Sequence, residues 1–375
     1  MTLDITNAVE TLAMTAREHA AAVDQLGAFP TATIEAARKL GMLGLLSHKE
    51  VGGKGGTLRD AATLIERVAR ECGSSAMVLT MHFSGTAVIE AHGDATTRRE
   101  VAAGKHLSTL AFSEAGSRSH FWAPVSTAKA DGSSIVLDAE KSWVTSASHA
   151  TAYVWSSKPL VGSEASTLWL VPNKTPGLKV SGPFDGLGLR GNDSAPVHAE
   201  RVRIPAHHRL GDDGAGLGIM MRTVLPTFST LIAACALGLA EALVLKTAEH
   251  ATGQRYAHLP TANALADLPT VRAYVARMRL QVDMAKALWS DTITAIENGR
   301  ADAGLRVLEV KAAAADTAAQ VADTAMRVCG GMAFRKDVGV ERSFRDARAS
   351  LVMAPTSDQL YDFLGKAVCG MPLFG

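Results

Sequence analysis

The sequence predicts a mainly helical α+β protein. It has a helical domain over residues 1–107, a small barrel-like β domain over 108–215 and a four-helix type bundle over 216–375. Three observations predict this. Both ends of the chain carry apolar residues every three or four positions, the spacing of a helix face. The middle carries short alternating segments separated by Gly, Asp, Ser and Pro. Four of the five tryptophans fall in that middle stretch, as aromatic-rich strands would have them.

In the first block Ile5, Val9, Leu12, Ala16, Ala20 and Val23 form one helical stripe. Phe29-Pro30-Thr31 offers a second helix start, with Glu35 in its first turns. Gly41 interrupts the pattern. Val51-Gly52-Gly53-Lys54-Gly55-Gly56 reads as a surface turn, because no strand–loop–helix with Lys-Ser/Thr surrounds it as phosphate binding would require. Leu58 to Val88 is alanine-rich and periodic, and predicts further buried helices.

In the middle block the strand candidates are Thr109–Phe112, Ser134–Leu137, Lys141–Thr145, Ala152–Trp155 and Thr167–Val171. Their lengths and separators suggest short antiparallel strands. In the last block Leu231 to Ala251 has almost no polar face and predicts a central buried helix. Residues 265–329 predict long helices of a bundle.

The chain has 375 residues, 47% of them hydrophobic, enough for a large core. With 38 basic and 37 acidic residues, and no Lys/Arg run, nothing suggests nucleic-acid or membrane-surface binding. Cys72, Cys235, Cys329 and Cys369 are scattered, so neither a metal site nor a disulfide framework is expected. No apolar run is read as a membrane span. The start, Met1-Thr2-Leu3-Asp4, lacks the basic and apolar regions of a leader, and a cytoplasmic protein is expected.

Four segments in order carry a resemblance: Ala111-Phe112-Ser113-Glu114-Ala115-Gly116-Ser117-Arg118-Ser119; Trp143-Val144-Thr145-Ser146; Leu187-Gly188-Leu189-Arg190-Gly191; and Cys329-Gly330-Gly331 with Arg345-Asp346-Ala347-Arg348 and Thr356-Ser357. The helix block, β block, helix block order and these motifs resemble the acyl-CoA dehydrogenase family across nearly the whole chain. The resemblance implies FAD as cofactor. It implies Ser113 and Ser119 at the flavin loop, where short side chains and glycines let backbone N–H groups approach anionic oxygens. It implies Trp143 beside the flavin ring and Thr145 at N5. It also implies that Arg255, Arg327, Gly330 and Gly331 serve the cofactor of a neighbouring subunit, and that Thr356 lies near the cofactor. Arg190 is read as structural. A homo-oligomer follows, a tetramer built as a dimer of dimers, or a dimer.

The departures are as informative as the matches. The family's base is a Glu at the position of Ala354, and an alternative base position falls at Phe228. Neither side chain can accept a proton. Ser229 stands where the family often has an Arg used around the thioester and CoA. His82, His120 and His149 are candidate replacement bases, being able to titrate near neutral pH. Three readings stay open. One is an FAD-dependent oxidoreductase with atypical chemistry, an O2-using oxygenase or oxidase on an acyl thioester or aromatic metabolite. The second is an acyl-CoA dehydrogenase with a relocated base. The third is an inactive flavoprotein subunit.

Overall fold

The computed structural model describes residues 5–117, 120–162, 166–256 and 264–373. The chain begins with α1 (Thr6–Leu26) and α2 (Thr31–Lys39), followed by α3 (Leu58–Ala69), α4 (Gly73–His92) and α5 (Ala95–Ala102). The start of α3 is fixed by a capping box. The Thr57 hydroxyl accepts from the Asp60 N–H while the Asp60 carboxylate accepts from the Thr57 N–H, satisfying two end donors reciprocally. Asp94 caps α5 by accepting from the Thr96 and Thr97 N–H groups. The segment 52–56 is a loop, as its glycines predict. A Cβ at Gly53 would meet the Ser47 carbonyl oxygen at 2.2 Å, so the close approach requires glycine there.

Among the described residues the β region has eight strands: β1 (Ser108–Ala111), β2 (Thr127–Asp131), β3 (Ser134–Val144), β4 (Ala152–Ser157), β5 (Thr167–Pro172), β6 (Leu178–Val180), β7 (Ala195–Pro205) and β8 (Arg209–Leu210). They form two four-stranded sheets, in the orders β1-β4-β5-β8 and β2-β3-β7-β6. Two expectations are corrected. The β1–β4 pair is parallel, not antiparallel. Ser134–Leu137 and Lys141–Thr145 belong mainly to one strand, β3, with register shifts where two were read. The bulge explains the misreading, because it breaks the alternation while the strand continues.

Strand β4 shows how the sheets place the site. Ala152 and Val154 pack into the core shared with the N-terminal helices. Tyr153 and Trp155 pack into the core between the sheets. Successive side chains point to opposite faces, and both faces are covered, so every residue of β4 is buried.

The C-terminal part contains α6 (Gly216–Ile219), α7 (Leu225–Gly253), α8 (Pro269–Glu297), α9 (Ala303–Cys329), α10 (Val340–Ala347), α11 (Ala349–Val352) and α12 (Ser357–Val368). Helix α7 packs on α3 and α4 on one side and on α8, α9 and α10 on the other. Its 231–244 stretch is therefore almost wholly apolar and buried, with Glu241 held by Arg279 and Lys286. The expectation that no segment is apolar enough to span a membrane needs correcting. The helical run Gly216–Gly253 is long and apolar enough, but 89% of its most apolar window is buried inside the protein. Its hydrophobicity is that of a central core helix.

Candidate active site

A cavity of about 920 Å³ lies where the β-region loops, the start of α7 and the α10–α11 segment meet. That is at the upper end of small-molecule sites. Met77 and Met81 come from α4, and Leu110 and Phe112 from β1 and the residue beyond it. Val224, Leu225 and Phe228 come from the start of α7, and Met353 and Ala354 from the stretch after α11. The wall is apolar because each of these elements already turns an apolar face towards the core. Ser113, Thr145, Asn192 and Ser194 add a polar rim.

Trp143 lines the cavity, yet its side chain is 71% exposed. It sits at a backbone φ of 55°, a region that β-strand residues rarely occupy. Its ring meets the Phe184 ring edge-on at 6.5 Å. An indole presented to an open cavity offers a face to a flat ligand. Thr145 is buried, and its hydroxyl shares a 3.0 Å hydrogen bond with that of Ser194. Only one of the two protons is used in that bond, so the pair can still donate into the cavity.

Among the described lining residues only Glu114, Arg345 and Arg348 are ionisable. All three are committed. The Glu114 carboxylate accepts from the backbone N–H groups of Val125 and Ser126, from the Ser126 hydroxyl and from Lys141 Nζ. Burial by itself would raise its pKa. The charge of Lys141 and the hydrogen bonds outweigh burial and hold the carboxyl below its usual range. Arg345 makes a two-pronged bond to Asp24 at 2.9 and 2.6 Å and a 2.7 Å bond to Glu341. Arg348 pairs with Asp323 and lies over the Phe344 ring at 4.3 Å.

Phe228 and Ala354 both line the cavity, and Ser229 beside them is fully buried with no hydrogen-bond partner for its hydroxyl. None of the three candidate histidines is among the lining residues. His82 is fully buried. Its Nε2 meets the Leu43 carbonyl at 2.8 Å and its Nδ1 accepts from the Ser108 N–H at 3.1 Å. Burial pushes its pKa down to about 4. His82 is therefore a neutral core residue with both ring nitrogens used, which corrects its reading as a base. His149 is bonded to Asp193 at 2.9 Å and stacks on Phe29 at 3.8 Å; it is not in the wall itself, although Asp193 lies between the lining residues Asn192 and Ser194. His120 is exposed, against the edge of Trp122 at 5.1 Å.

The residues expected at the cofactor from the sequence divide into two groups. Ser113, Trp143 and Thr145 come together at the cavity, whereas Ser119 lies outside the described residues. Arg255, Arg327, Gly330 and Gly331 lie at the other end of the bundle. There Ala251, Val271 and Val328 form one cluster, and Arg327 sits over the Tyr274 ring at 5.8 Å. From Phe228 to the end of α7 the helix climbs roughly 38 Å, at about 1.5 Å per residue. These residues do not reach their own chain's cavity. Thr356 caps α12 by accepting from the Gln359 N–H at 3.3 Å, and is not in the cavity wall. Arg190 is structural, donating to the Asp24 carbonyl at 2.9 Å.

Sequence reasoning passed over Lys141 and Lys311, both fully buried. A signal existed for Lys311, the lone charge in Val310-Lys311-Ala312-Ala313-Ala314-Ala315.

A helical region, a two-sheet β region and a helical bundle around one apolar cavity agree with what the comparisons show. The acyl-CoA dehydrogenase N-terminal, middle and C-terminal domain models match residues 4–104, 109–202 and 214–368. The bovine (Bos taurus) mitochondrial short-chain specific acyl-CoA dehydrogenase is 30% identical over 90% of this chain and 82% of its own length. Cyclohex-1-ene-1-carbonyl-CoA dehydrogenase of Geobacter metallireducens is 28% identical over 98% of this chain and 97% of its own. The solved structure of TdsC from a Paenibacillus species, with FMN and indole, superposes with a TM-score of 0.89 at 20% identity, over 98% of each chain. The chain belongs to the acyl-CoA dehydrogenase superfamily of flavin-dependent oxidoreductases, whose members bind FAD.

Proposed function

We propose that this chain uses FAD and O2 to oxidise a neutral, apolar small molecule, and that it does not remove an α-proton from an acyl thioester. One observation carries the reading. Among the described residues, every ionisable group in the cavity wall is already held by a partner, and the two base positions are Ala354 and Phe228. Dehydrogenation next to a carbonyl needs a group that can take the proton. Oxygenation needs a dry, apolar enclosure.

The residues present fit the cofactor. The exposed face of Trp143 would lie against the flavin ring, and Ser113 with the Thr145–Ser194 hydroxyl pair would hydrogen-bond its polar edge. FAD, when bound there, supplies two-electron transfer and in reduced form passes its electrons to O2. In an oxygenation one atom of O2 would enter the substrate and the other leave as water; the two electrons would come from an external two-electron donor such as a reduced nicotinamide or a reduced flavin, and the two protons from solvent. Met77, Met81, Phe121 and Phe228 exclude water from the substrate. Arg255, Arg327, Gly330 and Gly331 would meet a cofactor only in a second copy of the chain, which supports a homo-oligomer.

The test is to reduce the purified flavoprotein and mix it with isotopically labelled O2 and an apolar ring compound. Indole is the first probe, since TdsC holds it within the same fold. Label in an organic product supports the reading. Release of hydrogen peroxide alone, across a panel of neutral ring compounds, counts against it. A second reading, a dehydrogenase with a relocated base, is favoured by the dehydrogenases among the relatives. It would need His120, next to the cavity-lining Phe121, or His149, whose partner Asp193 lies between the lining residues Asn192 and Ser194.

A further inference from the structure

Lys311 lies in the first half of α9 with no solvent exposure. Its Nζ donates to the Met353 carbonyl at 2.9 Å and to the Pro355 carbonyl at 2.7 Å. These are the two carbonyls that flank Ala354. Taking an ammonium out of water costs several kcal/mol, and the two carbonyls are what offsets that cost here. An apolar side chain would fill the same space beside the buried Leu308, Val310, Ala312, Ala314 and Ala315 of the same helix. The stretch 353–356 joins the end of α11 to the start of α12 and is tied to those helices only at its ends, by the Met353 N–H to the Ala349 carbonyl at 3.1 Å and by the Thr356 carbonyl from the Leu360 N–H at 2.9 Å. The last carbonyls of a helix need partners from outside it. Thr356 pins the far side of the stretch by capping α12. Among the described residues no other donor holds the carbonyls on either side of Ala354.

We propose that Lys311 is the positioning residue that fixes Ala354 in the cavity wall, and so sets the depth of the cavity at the place where a substrate must lie. It acts from behind. Its side chain is not exposed to the cavity, whereas Ala354 and Met353 are in the wall. Burial lowers its pKa to about 7. The neutral amine still carries two N–H donors, one for each carbonyl, so the wall is held on both sides of that pKa. The inference depends on the cavity and not on the reaction proposed for it.

The test therefore needs neither substrate nor flavin turnover. Ala354→Cys places a thiol in the wall, in a background where the exposed Cys369 is replaced by Ser; the other three cysteines are buried. The probe is methyl methanethiosulfonate, and the readout is the rate of labelling at position 354. Adding Lys311→Met should change that rate about tenfold or more, because displacements near 1 Å alter reaction geometry by up to about a hundredfold. Lys246→Met is the control. Lys246 is a half-buried lysine that also holds backbone, donating to the Gly339 carbonyl at 3.0 Å and to the Ser343 hydroxyl at 3.1 Å, and neither it nor these partners is in the cavity wall. Its loss should lower stability and leave labelling at 354 unchanged. If Lys311→Met does not fold, Lys311→Gln, which keeps an N–H donor, replaces it, with a smaller change in the same direction. Equal labelling rates with and without Lys311, an equal effect from Lys246→Met, or failure of both Lys311 variants to fold would each overturn the positioning role.

Discussion

Lys141 donates to Glu114 from a position with no solvent exposure, and this pair takes the only carboxylate among the described cavity-lining residues out of proton chemistry. The carboxylate is also held by Ser126 and by the Val125 N–H. An acceptor so fully used has no free lone pair directed at a substrate. The pair also ties the loop after β1 to β3 and β4, through the Lys141 bond to the Ser156 carbonyl at 2.7 Å.

Glu114→Gln should destabilise the protein by about 3–5 kcal/mol, the range found when one member of a buried pair is removed and the other charge stays behind. Urea unfolding measures this. A change below about 1 kcal/mol, the range of exposed pairs, would show that the pair is not buried in solution.

His82 and His106 make stability sensitive to acid. Burial lowers both pKa values from 6.5 to about 4. Between those values the unfolded chain binds protons that the folded chain does not, so stability falls as pH drops from 6.5 towards 4. Above 6.5 their contribution is constant. Unfolding midpoints at pH 7 and pH 5 should differ more in the wild type than in His82→Gln. Equal pH dependence would contradict the assignment of His82 as a neutral core residue.

Trp143→Ala should weaken FAD binding by about three- to tenfold, from the roughly 0.5–1.5 kcal/mol that an aromatic contact contributes. Titration of the apoprotein with FAD, followed by flavin fluorescence, gives the ratio. Unchanged affinity would mean that the exposed indole serves something other than the cofactor.

Arg255→Ala should weaken FAD binding about ten- to a hundredfold, as losing a charged hydrogen bond does, while the oligomer stays intact by light scattering. The end of α7 lies too far from its own cavity for Arg255 to act within one chain. A monomer that holds FAD tightly would contradict both the oligomer and the role of this arginine.

Fold class was legible because α7 has almost no polar face, β4 and β5 are apolar runs between turn residues, and the motif order is shared with the family. The parallel β1–β4 pairing was not legible, because strand direction depends on which strands meet and not on their composition. At the site, Phe228 and Ala354 could be placed from motif spacing, and both line the cavity. The histidines could not. Residue type says that an imidazole can titrate, but burial and partners decide whether it does, and for His82 both were set by Leu43 and Ser108. Lys141 and Lys311 were hidden for the same reason. A lysine reads as surface until packing shows its carbonyl or carboxylate partners.

The central claim is that this cavity cannot take an α-proton from an acyl thioester. Anaerobic mixing of the oxidised wild-type flavoprotein with straight-chain acyl-CoA esters of graded length tests it most directly. Loss of a general base is worth about 10²–10⁴-fold in rate. The account predicts that flavin absorbance persists and no enoyl-CoA forms on the timescale of turnover. Rapid bleaching together with enoyl-CoA product would contradict it and assign the chain to dehydrogenation with a relocated base.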